Sequence, residues 1–136
     1  VPQLNQQDEQ AVRFEAVDVF IDSGKTALAA YQFEFKAVFA DGRPGEVKIV
    51  GIEGGEHPAF ASPPYHDPAA PMHDRVIIAA FDTGPAQNLP TGKTFVARLH
   101  VQVSGAPEFL VELSVAANSD GTDIRAAIST APGEPG

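Results

Sequence analysis

Apolar and polar positions alternate with period two along most of the chain. In "VDVFID", Val17, Val19 and Ile21 share one side, and Asp18 and Asp22 take the other. Just upstream, Val12, Phe14 and Ala16 alternate in the opposite phase, which predicts a bulge near Ala16–Val17. "TALAAYQFEFKAVFA" admits two periods, since Leu28, Tyr31, Phe35 and Phe39 fit a helical stripe and the alanines favour one. A helix would leave Phe33 off that stripe. A strand puts Tyr31, Phe33, Phe35 and Phe39 on one face and Gln32, Glu34 and Lys36 on the other, and the strand is the reading adopted.

Further strands follow at "VKIVGIEG", "RVIIAAFD", "TFVARLHVQV", "FLVELSVA" and "IRAAIST". "RVIIAAFD" is apolar on both sides, as a strand covered on both faces would be. In "TFVARLHVQV", Phe95, Ala97, Leu99, Val101 and Val103 are expected inward, with Arg98, His100 and Gln102 outward. Turn signals separate these runs at "DSGK", "DGRPGE", "TGPAQNLPTG", "SGAPE" and "NSDGTD". The pattern predicts an all-β fold, an antiparallel β-sandwich of about nine strands with jelly-roll topology. One domain is expected over residues 12–130, after a polar segment 1–11 and before a Pro/Gly-rich tail or linker stub at 131–136.

One stretch lacks any period. "GGEHPAFASPPYHDPAAPMHD", residues 54–74, holds three of the four histidines and five prolines. Imidazole and carboxylate ligands suit zinc, so His57, His66, His73, Asp67 and Asp74 form a candidate metal set. Their spacing, His-x8-His and His-x6-His, fixes no geometry by itself. The alternative is a proline-stiffened crossover between sheets, with the histidines partly solvated.

Composition narrows the function classes. The 136 residues carry a formal charge of −9 with Lys and Arg scattered, so nucleic acid and anionic membrane surfaces are not expected partners. The longest apolar run, Val76–Phe81, is too short to span a bilayer, so no membrane insertion is expected. "VPQLNQQDEQ" lacks a signal-peptide core, so an exported protein would be present here in its mature or trimmed form. Without cysteine, neither a disulfide framework nor thiolate chemistry is available.

The order "LAAYQFEF", "VKIVGIEGG", a loop, "HDRVIIAAFDTG", "LPTGKTFVARLHVQV" and "NSDGTDI" resembles the cohesin domain, from about Val17 to Ile124. The resemblance implies a nine-stranded jelly roll, close to that of several carbohydrate-binding modules, acting as a non-catalytic interaction module of an extracellular or cell-surface protein. Cohesins that bind dockerins commonly present an Asn and an Asp on the outward face of the strand matching "LAAYQFEF". This chain has Ala30 and Gln32 there, so dockerin recognition of that kind is not expected.

Other motifs fall away on their own chemistry. Aligning Gly121 with the sixth position of a calcium loop puts Ala116 first and Ala127 twelfth, and neither side chain can ligate. "TGKT" at 91–94 has Gln87 where a phosphate loop needs glycine, and a strand pattern follows it. No G-x-S-x-G elbow is present, and no cofactor is implied. Pairs such as Glu53 with Glu56, or Asp74 with Asp82, are what an acidic chain produces by chance. What remains is what the cohesin resemblance implies, protein binding without catalysis, with Gln32, Glu34, Lys36 and Tyr65 as the candidate binding residues. A carbohydrate-binding module using Tyr65 is the alternative, weakened by the absence of tryptophan. A metal site or enzyme built on the histidine loop is the second alternative.

Overall fold

The computed structural model describes residues 11–40, 42, 45–66 and 74–133. Within them eight strands form two antiparallel four-stranded sheets, against about nine strands expected. They are β1 (Arg13–Asp22), β2 (Ala30–Val38), β3 (Glu46–Gly54) and β4 (Tyr65–His66), then β5 (Arg75–Phe81), β6 (Lys93–Ser104), β7 (Glu108–Ala117) and β8 (Ala127–Gly133). One sheet runs β3-β6-β1-β8 and the other β4-β5-β2-β7. Strands β1 and β8, β2 and β7, β3 and β6, and β4 and β5 are all hydrogen-bonded pairs. The first half of the chain thus lies against the second as one long folded-back ribbon wound into a sandwich, which is the jelly roll.

The core forms where the inward rows of the two sheets meet. Val19 and Ile21 from β1, Phe33 and Phe35 from β2, Ile49 from β3, Ile78 from β5 and Leu99, Val101 and Val103 from β6 are all fully buried. The strand reading of "AYQFEFKAV" holds. Tyr31, Phe33, Phe35 and Ala37 point inward, Gln32, Glu34 and Lys36 outward, and Phe39 lies half-buried against the core.

Three irregularities were not placed correctly by the alternation. The β1–β6 register is continuous from Arg13 to Val19 and shifts only at Phe20, where Val96 of β6 is the extra residue. No bulge lies at Ala16–Val17; Val12 and Phe14 simply point outward and stay exposed. Because of the Val96 bulge, Val96 and Ala97 are both buried, and Phe95 turns outward against Phe20 (ring centroids 5.7 Å apart). A bulge adds one residue and reverses the phase beyond it, which simple alternation cannot place. Further extra residues occur at Val50 of β3 and Ser114 of β7.

The chain boundary also moves. Ala131, Pro132 and Gly133, expected to begin a tail, pair with Asp18, Val17 and Ala16 as the end of β8. "APG" suggests a linker by composition, yet an edge strand tolerates proline because one side of its backbone needs no ladder bond.

Two of the turns expected from the sequence, "DSGK" and "NSDGTD", are turns, while "DGRPGE" lies partly outside the described residues. Ser23 N–H donates to Gly92 C=O (3.1 Å) and Gly92 N–H to Gly24 C=O (2.7 Å), which zips "DSGK" to "PTGK" and accounts for "TGKT" without a phosphate. In "NSDGTD", the Asn118 Oδ1 accepts from the Asp120 and Thr122 N–H groups, and Gly121 takes φ +84°. Hydrogen bonds from Thr122, side chain and backbone, hold the exposed Asp120 carboxyl below its ordinary range.

Candidate functional site

The loop after β3 is built around two contacts. Gly55 passes so close to β6 that a Cβ there would sit 1.8 Å from the Phe95 carbonyl oxygen. One turn later, the 3-10 turn Pro58–Phe60 drops Phe60 into the core beside Tyr31 (5.4 Å between ring centroids), where it is 2% exposed. His57 caps that turn, its Nδ1 accepting from the Ala59 N–H at 3.1 Å. The first histidine of the loop therefore has a structural task.

His66 lies in β4 opposite Ile78, and Asp74 precedes β5, exposed, its carbonyl accepting from Ala37 N–H. Asp67 and His73 lie outside the described residues. Among the described residues, no three His, Cys, Asp or Glu side chains converge to hold a metal. The fourth histidine, His100, is paired with Glu53 on the outer face of the other sheet. A shallow, open cleft of about 510 Å³ lies between Glu56–His57 and the Leu89–Phe95 segment.

The more distinctive surface is the outer face of β4-β5-β2-β7. Directly opposite residues of an antiparallel pair point to the same side, so the register builds this face in rows. Phe81 stands across from Ala30. Next come Tyr65, Ala79, Gln32 and Val115, then Ile77, Glu34 and Glu112, then Arg75, Lys36 and Leu110, and last Val38 and Glu108. The first two rows hold no charge. In the third and fourth, Arg75 Nε donates to the Glu34 carboxylate at 2.7 Å.

Among the described residues nine large apolar side chains are exposed, and six of them lie here: Val38, Tyr65, Ile77, Phe81, Leu110 and Val115. Tyr65 is 67% exposed and Phe81 60%, their rings nearly parallel with centroids 5.9 Å apart. Exposed apolar side chains gathered on one face mark a candidate interaction surface, and here Gln32, Glu34 and Lys36 of β2 divide them into a β4–β5 group and a β7 group. Of the residues singled out by sequence, Gln32, Glu34, Lys36 and Tyr65 all come together on this face. Phe81, Ile77, Val115 and Leu110 were missed. For Ile77 and Phe81 the signal is the two-sided apolar character of "RVIIAAF", which in the sequence reads as coverage on both faces; among the described residues the outward side chains Ile77 and Phe81 stay exposed.

No protein-family model matches the sequence, and no curated protein matches it. Among solved structures, the cohesin chain of the CaDoc0917–CaCohA2 complex at pH 5.5 superimposes with a TM-score of 0.60. The match covers 83% of this chain and 82% of that one, at 12% sequence identity. The fold is cohesin-like. At that identity the likeness establishes the architecture, while the partner and its chemistry must come from this chain's own surface. Among the described residues of the cohesin-like sandwich, no helix is long and apolar enough to cross a membrane.

Proposed function

We propose that the chain is a non-catalytic protein-binding module of an exported or cell-surface protein, docking its partner on the outer face of β4-β5-β2-β7. One observation carries this reading: among the described residues, six of the nine exposed large apolar side chains are gathered on that single face. Tyr65 and Phe81 are the anchors, since aromatic groups dominate interface energetics when desolvated. Gln32, Glu34 and Lys36 form a polar stripe on β2 between the apolar groups of β4–β5 and β7, with Arg75 beside it, and that stripe sets register. Ala30 and Gln32 replace the Asn and Asp of dockerin-binding cohesins, so the partner differs from a familiar dockerin.

The test is affinity capture from the source organism's secreted and surface proteins with the wild type, Phe81→Asp and Phe14→Asp. Phe14 is exposed on the outer face of the opposite sheet. A partner should be captured by wild type and Phe14→Asp and lost with Phe81→Asp. Loss with Phe14→Asp alone would move the site to the other sheet and sink this assignment.

The near-parallel Tyr65–Phe81 pair supports a second reading, in which a neutral polysaccharide stacks on the two rings. Retention on cellulose, chitin or xylan, abolished by Tyr65→Ala, would select it over a protein partner.

A further inference from the structure

The two long sides of the sandwich are closed differently. On one side, the segment after β3 crosses between the sheets and seals the core with Phe60. On the other, β7 and β8 are both edge strands, with a seam between them. The segment joining them bonds to the last residues of β7 (Ile124 N–H to Ala116 C=O, 2.9 Å) and packs Ile124 and Ala126 on the core. Among the described residues no strand pairs with the outer edge of β7 over Glu108–Leu113. The inward row of β7, Phe109, Val111 and Leu113, is only half-buried, whereas Phe35 and Phe33 on neighbouring β2 are completely buried. At one end of the seam an apolar groove of about 220 Å³ opens between Phe109 of β7, Val17 of β1 and Thr130 and Pro132 of β8.

The edges are not equally open to another strand. β4 has two residues, β8 carries Pro132, and β3 is interrupted by its extra residue Val50. β7 runs regularly from Glu108 to Leu113 before the extra residue Ser114. Its outward row reads Glu108, Leu110, Glu112, and neither carboxylate is engaged in an ion pair among the described residues.

We propose that β7 is a second interaction edge, taking an extended segment of a protein partner as an added strand with alternating cationic and apolar residues. Edge addition supplies main-chain hydrogen bonds, and the alternate side chains supply selectivity. Facing β7, the inward side chains of the added strand cover Phe109, Val111 and Leu113, the first reaching the groove. Its outward cations stand opposite Glu108 and Glu112. Charge excludes the two nearest alternatives. A second copy paired antiparallel about Leu110 would set Glu108 against Glu112, like charges directly opposed in a chain of net charge −9. Residues 1–10 of this chain, "VPQLNQQDEQ", contain Asp8 and Glu9 and no cation.

The site adjoins the outer face and shares Leu110 and Glu112 with it, and the experiment separates the two readings. A capped peptide with the core Lys-Val-Thr-Val-Lys-Val is titrated into the protein and followed by amide chemical shifts and hydrogen exchange. Its counterpart with Glu for Lys is the control. The expected result is slowed exchange along Glu108–Leu113 and binding of the Lys peptide about tenfold tighter than the Glu peptide, narrowing as salt is raised. The double variant Glu108→Lys, Glu112→Lys should reverse that preference, and Phe81→Asp should leave it unchanged. Equal binding of both peptides, no binding, shifts confined to Tyr65 and Phe81, or a dimer formed through β7 would each overturn the assignment.

Discussion

Gly55 shows how much of this fold is decided at a single atom. Its neighbour is backbone, the Phe95 carbonyl, and cannot swing away as a side chain would. Gly55→Ala must push the loop off β6, break the Gly55 N–H to Phe60 C=O bond (2.8 Å) and loosen Phe60. A loss of about 2–3 kcal/mol is expected from urea unfolding. The sequence displayed "GG" but not which strand the loop would touch, because that contact joins residues forty positions apart.

Tyr31 gives a pH signature at the same scale. Burial raises its phenol above the ordinary value of 10.0, and the hydrogen bond it donates to the Val96 carbonyl is long at 3.4 Å. Above pH 10 the unfolded chain releases this proton and the folded chain retains it, so the unfolded state binds fewer protons and stability falls as pH rises. Stability is fully present below pH 10. Tyr31→Phe should remove up to about 1.4 kcal/mol per pH unit of that alkaline slope, read as the difference between the two proteins' unfolding curves at pH 10–11. Identical slopes would mean the phenol reaches solvent.

At the scale of elements, alternation was legible wherever one face of a strand was polar. β2 was assigned correctly because Gln32, Glu34 and Lys36 marked its outer side. β5 offered no such marker, and its composition could not distinguish a face buried by the protein from one left for a partner. A paired measurement separates the two faces of this strand. Ile78→Ala empties a fully buried site and should cost about 3 kcal/mol. Ile77→Thr and Phe81→Thr, on the outward side, should each stay within about 0.5 kcal/mol in thermal unfolding. Large losses at both would show that the outer face is packed within the free protein, contrary to the docking role proposed for it.

The bulges failed for a related reason. The extra residue at Val96 depends on how β1 and β6 twist together, and neither strand's own pattern contains that information. The candidate metal set illustrates the same limit. Histidine spacing told nothing of geometry, and His57 proves to be committed to capping a turn.

At the scale of the whole molecule, the nested pairing places β1 against β8, so the last strand supports the first. Asp18 of β1 is held by Arg98 at 2.6 Å and 3.1 Å, and a Cβ at Gly133 would come within 2.4 Å of its Oδ1. β8 is thus fitted around a partly buried ion pair at its very end. Composition made residues 131–133 look dispensable, whereas register makes them the cover over Ala16, Val17 and Asp18. A chain ending at Thr130 should therefore expose Val17, wet the Asp18–Arg98 pair and lower the unfolding temperature by about 5 °C or more. A chain ending at Gly133 supplies the reference, since it retains all of β8. If the two unfold at the same temperature, the Ala131–Gly133 pairing adds nothing, and the functional domain closes at Thr130 after all.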